Sequence, residues 1–154
     1  SRTDVERLIG PAMRTLVDCD LEEADLSGLD LSRWRFESCN LRRSNLSGSR
    51  LEGTVWQSCR GPFADFSGSN LSEAEFTGGD WNNCSLRRAS LTSTRFTGSK
   101  LTGADFTKAR AMHIHFEEVL SRFPKEDRRD MRDEQGIIRV DCAFCSKDFA
   151  ITAI

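Results

Sequence analysis

The chain of 154 residues has no tyrosine, two histidines and three prolines. No apolar run approaches the roughly 18 residues of a membrane-spanning helix. No charged-then-apolar leader opens it, so the expectation is a cytoplasmic protein without membrane contact. Also missing are a Gly-rich phosphate loop, a nucleophile elbow, and a Ser or Cys followed by a plausible base, so no catalytic residue is expected. Charge of one sign is scarce as well. The formal net charge is −2, which gives no basic field for direct nucleic-acid binding. Hydrophobic content is 38%, below the usual share for a globular domain of this size. A fold that buries few positions per residue would explain that.

What is present is a period of five. From Cys19 to Phe116 a bulky residue recurs at every fifth position, as in Leu21, Leu26, Leu31, Phe36, Leu41, Leu46, Leu51 and Trp56, with Gly61 and Ala111 as the exceptions. Two positions before each centre sits a mostly small residue, among them Cys19, Ala24, Cys39, Ser44, Cys59, Ala64, Ala74 and Cys84. Five matches neither the 3.6 of a helix nor the 2.0 of a strand, so the pattern belongs to a repeat architecture. If each pentapeptide is one side of a square coil, residues twenty apart stack. Every fourth centre then gives an inward aromatic column of Phe36, Trp56, Phe76, Phe96 and Phe116. A bare period of five would not require that further period.

Ala24-Asp25-Leu26-Ser27-Gly28, Ala64-Asp65-Phe66-Ser67-Gly68 and Ala104-Asp105-Phe106-Thr107-Lys108 fit A-(D/N)-L-x-x. In this motif the chain resembles the pentapeptide-repeat proteins over residues 19–116. The resemblance implies an all-β solenoid, a right-handed quadrilateral parallel β-helix of about five coils. At roughly 4.8 Å per coil the rod would be about 24 Å long. Residues 1–18 read as an N-terminal helical cap, with Thr3 or Asp4 capping a helix through Val5 to Ile9 and Gly10-Pro11 stopping it. Trp34 is too large for a small-residue position, and looser space beside that cap is expected to take it.

Two irregularities stand out inside the rod. At Arg60-Gly61-Pro62-Phe63 the centre is empty, a proline cannot donate to a ladder, and an aromatic sits among polar outward positions. Trp81, the centre one coil later, is expected to fill the space above Gly61, with a local bulge at Pro62 and Phe63. Cys19, Cys39 and Cys59 are spaced by twenty and should stack on one inner face. Packing is the first reading for them and for Cys84, ahead of a redox or metal role.

Pentapeptide-repeat proteins of the quinolone-resistance type resemble duplex DNA to type II topoisomerases through an elongated acidic dimer. The resemblance therefore suggests a non-enzymatic binding module with DNA gyrase as a candidate protein partner and antibiotic resistance as a candidate role. The surface argues against a DNA mimic. Residues 15–111 carry thirteen Asp and Glu against twelve Lys and Arg, and interspersed arginines cancel a continuous negative field. Asp25, Asp65 and Asp105 align as a candidate interaction surface, with Phe63 as a candidate contact. Each Asp precedes its centre, however, where such side chains commonly bond their own turn.

The phase ends at Phe116, and residues 117–154 read as a small α+β tail. Two charged helix-prone stretches are split by Pro124, and two strands flank the knuckle Cys142-Ala143-Phe144-Cys145. On Val119 to Pro124, Asp130-Met131, Gly136 and the C-x-x-C, this tail resembles the zinc lobe of the redox-regulated heat-shock holdase chaperones. That resemblance carries an alternative function, a thiol- or zinc-responsive stress protein. The family closes its zinc site with an upstream C-x-C, where this chain reads Ala109-Arg110-Ala111. His113 and His115 are the histidines available to complete a site with Cys142 and Cys145. The expectation is a vestigial site with no bound cofactor, in a tail that folds back over the last coil or forms a homodimer contact.

Overall fold

The computed structural model describes residues 1–119 and the backbone of two further strands, 137–142 and 147–152. Helix α1 spans Arg2–Leu8. Six three-residue strands follow at intervals of twenty: β1 (Thr15–Val17), β2 (Arg35–Glu37), β3 (Val55–Gln57), β4 (Glu75–Thr77), β5 (Arg95–Thr97) and β6 (His115–Glu117). They pair in parallel in chain order, with Leu16, Phe36, Trp56, Phe76, Phe96 and Phe116 in register. Single-residue bridges such as Asp25↔Asn45↔Asp65↔Ser85↔Asp105 extend the same ladder around the other three sides. The result is a parallel β-solenoid of about five coils, whose ladder starts at Thr15 within the segment read as the cap.

Each side turns its corner by the same local device. On the three sides without strands, the fourth residue donates its N–H to the carbonyl of the centre, as in Ala24 to Leu21 (3.1 Å) and Trp34 to Leu31 (3.0 Å). The third residue of each such turn has a positive φ, as at Glu23, Arg33 and Gly28. Those two features make a type II turn, which favours glycine third and tolerates proline second. Pro62 occupies that second place. Hence no bulge forms at Pro62 and Phe63: Gly61 N–H still donates to Asp80 O (2.7 Å), and Phe63 N–H to Asn82 O (3.1 Å). Register runs Asn40↔Arg60↔Asp80 without an inserted residue. Where Asp or Asn stands before a centre, its Oδ1 accepts the N–H two residues on, as at Asp20, Asn40 and Asp80. At Pro62 there is no such N–H, and Arg60 stands where that acceptor would be.

The core is a filled tube built from the centres and the residues two before them. Phe36, Trp56, Phe76, Phe96 and Phe116 stack nearly parallel, with successive ring centroids 4.1, 5.8, 4.6 and 5.3 Å apart. Trp34 is buried against Phe36 with centroids 6.3 Å apart. Trp81 lies edge-on to Phe76 (5.0 Å, 90°) and Trp56 (5.7 Å, 85°). A Cβ on Gly61 would come within 2.3 Å of the Trp81 ring, so the empty centre and the largest side chain are one packing solution.

At the N-terminal end α1 begins earlier than expected, at Arg2, so Ser1 and not Thr3 or Asp4 is its N-cap. That start turns Val5 inward to the core. Arg2 then reaches the carbonyls of Asp25 and Ser27, both at 3.1 Å, and ties the helix to the first coil. At the other end, β7 (Ile137–Cys142) and β8 (Lys147–Thr152) pair antiparallel, and β7 lies beside β6.

Candidate functional site

The outer faces hold the candidate residues. Asp25, Asp65 and Asp105 lie in one bridged column, and each carboxylate is committed to its own turn. Asp25 Oδ1 accepts the Ser27 N–H (3.1 Å) and hydroxyl (2.6 Å), Asp65 Oδ1 the Ser67 N–H (2.8 Å), and Asp105 Oδ1 the Thr107 N–H (2.9 Å) and hydroxyl (2.5 Å). Two of the three also meet a cation: Arg2 approaches Asp25 at 3.6 Å and Arg87 donates to Asp105 Oδ2 at 3.0 Å. The Ser27 bonds lower the pKa of Asp25. Burial alone would raise Asp105, but its bonds from Thr107 and Arg87 outweigh that and lower it.

The charge cancellation expected from composition has a specific form. Acids of the first coil face arginines one coil on: Glu22 with Arg42 (3.2 Å), Glu23 with Arg43 (3.9 Å) and Asp30 with Arg50 (3.6 Å). These pairs are solvent-exposed and add little stability individually. Their effect is on the field, since a repeating anion paired with a cation at coil spacing cannot present a phosphate-like stripe. A search for opposite charges twenty residues apart offers these three from the sequence, but also Glu75 with Arg95 and Asp80 with Lys100, which form no ion pair among the described residues.

Phe63 is different. Its side chain is 56% exposed, and its φ of +61° is unusual for a bulky residue. Exposed Arg60 stands three residues before it and makes no ion pair among the described residues, while Arg43 occupies the equivalent turn position one coil below. Other large exposed apolar side chains, Leu8, Ile9, Met13 and Val17, belong to the N-terminal segment.

On the inner wall, Cys19, Cys39 and Cys59 stack at coil spacing, with Cys19 half-buried and the other two buried. The Cys39 thiol donates to Leu16 O (3.4 Å) and the Cys59 thiol to Phe36 O (3.3 Å), each reaching back one coil. The neighbouring Cys59 thiol lowers the pKa of Cys39, while the same contact and then burial raise that of Cys59. Burial raises Cys19 and pushes Cys84 up to about 12.

His113 and His115 are exposed on the last coil. Cys142 ends β7, and Cys145 lies outside the described residues. No group of three or more His, Cys, Asp or Glu that could hold a metal ion occurs among the described residues. With two tail thiols and no upstream C-x-C, the chain does not reproduce the four-thiolate donor set of the chaperone lobe. No helix among the described residues is long and apolar enough to cross a membrane.

Comparison with known proteins agrees with this geometry. The family model for pentapeptide repeats matches in eight copies over residues 19–55, 39–78 and 69–107, and the Hsp33 protein model matches residues 108–152. No curated protein matches the chain. Among solved structures it is similar to the pentapeptide repeat protein Rfr23 from the cyanobacterium Cyanothece 51142 (18% identity, TM-score 0.68, covering 79% of this chain and 91% of that one). It is also similar to full-length QnrB1, a plasmid-mediated fluoroquinolone resistance protein (16% identity, TM-score 0.55, covering 70% of this chain and 60% of that one). At such identities the structures speak for the fold alone. The repeat model, however, covers more than half the chain in the phase of the observed coils, and the chain belongs to the pentapeptide-repeat family.

Proposed function

We propose that this chain is a non-enzymatic protein-binding module whose rod engages its partner through Phe63 and the arginines around it. The observation that supports this most is the exposure of Phe63, an outward turn residue on a rod whose large apolar centres are packed inside. An aromatic anchor with an exposed arginine three residues before it, free of ion pairs among the described residues, has the composition of an interface hot spot. The partner to test first is DNA gyrase, because the resemblance to quinolone-resistance-type rods raises it. Engagement as a DNA mimic is disfavoured, since the aligned carboxylates are spent on their own turns and on Arg2 and Arg87.

The experiment is binding of purified gyrase to the full chain, with a supercoiling assay alongside. Binding is expected to weaken at least tenfold in Phe63→Ala and to change little in Asp65→Asn, with weak or no inhibition of supercoiling. Potent inhibition that disappears on reversing the charge of Asp25, Asp65 and Asp105 would replace this reading with DNA mimicry. A second reading, a thiol- or zinc-responsive stress protein, is favoured by the Hsp33 match over residues 108–152 and by β7 lying beside β6. One tightly held zinc per chain, lost in a His113→Ala, His115→Ala variant, would promote it.

A further inference from the structure

The geometry points to a soft-metal site in the rod wall, in which Cys19 and Cys39 hold one monovalent d10 cation such as Cu(I) in two-coordinate, near-linear geometry. Parallel in-register rungs repeat about every 4.8 Å. A metal–thiolate bond is about 2.3 Å for zinc, so two such bonds end to end span nearly one rung. Cysteines stacked one rung apart therefore stand at a backbone spacing from which their sulfurs can span a linear S–metal–S unit.

Three observations place the site at the Cys19 end of the ladder. Cys39 is the central thiol, one coil from both Cys19 and Cys59, and its sulfur reaches back to Leu16 O in the coil of Cys19. Cys19 is half-buried, which leaves a route from solvent, whereas Cys59 is sealed in. Above Cys59 the column is closed by Gly79, where even a Cβ would meet the Cys59 carbonyl oxygen at 2.3 Å. Two sulfurs per step also decide the metal class. Tetrahedral zinc needs four donors, and no three converge among the described residues. Thiolates select Cu(I) among the first-row ions that accept so few. On binding, each thiol releases its proton to solvent and each sulfur donates one lone pair to the cation; no electron is transferred.

The tail pair Cys142 and Cys145 would itself take Cu(I), so the test uses the full chain with Cys142→Ser and Cys145→Ser. Cu(I) is supplied anaerobically as its acetonitrile complex and read by native mass spectrometry and by competition with a chromophoric Cu(I) chelator. The expected result is one copper per chain that survives added Cys84→Ser and is lost, at least a hundredfold in affinity, with added Cys39→Ser. The serine should fold, because Ser99 occupies the same column and donates to Phe76 O at 3.3 Å just as Cys59 donates to Phe36 O. Should Cys39→Ser melt below the assay temperature, Cys19→Ser decides with the same expected loss. No copper retained by the tail variant, or retention unaffected by Cys39→Ser or Cys19→Ser, would overturn the site.

Discussion

Two columns of the same rod solve the packing problem in opposite ways. The strand face repeats one size, with Phe36, Trp56, Phe76, Phe96 and Phe116 stacked within 14° of parallel. The adjoining face alternates extremes, with Leu41, Gly61, Trp81 and Leu101 as successive centres, and Trp81 leans into the space Gly61 leaves. A coil of fixed dimensions thus constrains the summed volume of neighbouring rungs more tightly than the volume of any one. Uniform filling makes each rung replaceable in principle, and complementary filling couples two rungs into one unit.

Breaking the uniform column should have the largest effect. Phe76→Ala removes a ring sandwiched between Trp56 and Phe96 and touched at its edge by Trp81, and the ladder above and below keeps the cavity from collapsing. Destabilisation of about 3–5 kcal/mol is expected, read by chemical denaturation. A loss under about 1 kcal/mol would mean that the stack is looser than its geometry.

Next in size is restoration of the repeat's own rule at the exceptional rung. Gly61→Leu puts the consensus residue at an empty centre, yet it should destabilise by about 1–3 kcal/mol through overpacking against Trp81. Gly61→Leu combined with Trp81→Leu should recover much of that loss, and the double-mutant cycle measures the coupling of the two rungs. Additive effects would refute the complementary reading.

The smallest effect separates interior from surface. Asp25, Asp30 and Asp105 have pKa values lowered below 3.8 in the folded state, in the first two mainly by hydrogen bonds from Ser27 and Ser32. Depressed carboxylates contribute stability that is present above the unfolded pKa and lost as pH falls through the folded one. The contribution of these groups should therefore be full and independent of pH near neutrality, and thermal midpoints should fall from about pH 3.8 downward. Replacing all three by Asn, which keeps the turn acceptor, should flatten that acid limb and lower the midpoint at pH 7 by a few degrees at most. An unchanged acid limb would show that other carboxylates dominate it.

Much of this was legible beforehand because the repeat speaks at two periods. A fivefold phase identifies which residues point inward, and the twentyfold aromatic phase identifies four sides per coil. The pairing of Gly61 with Trp81 was readable for the same reason. The bulge expected at Pro62 failed because proline was weighed as a missing ladder donor. Its place in the turn is the second position of a type II turn, where the ladder asks for no donor and the fixed φ fits. Capping by Ser1 was missed because helix propensity alone does not say which residue must turn inward, and Val5 does.

Local chemistry alone thus determined the coil, its turns and its columns, since every fifth residue meets the same steric demand whatever lies around it. It also determined that the surface charges nearly cancel. Only the tertiary structure decided which charges cancel, through Glu22, Glu23 and Asp30 meeting arginines one coil away. It likewise decided that the stacked thiols have their accessible end at Cys19, and that Phe63 stays 56% exposed with nothing folded over it among the described residues. The physical reason is the same in each case. Contacts between coils join residues twenty apart, and their distances exist only once the chain has closed on itself.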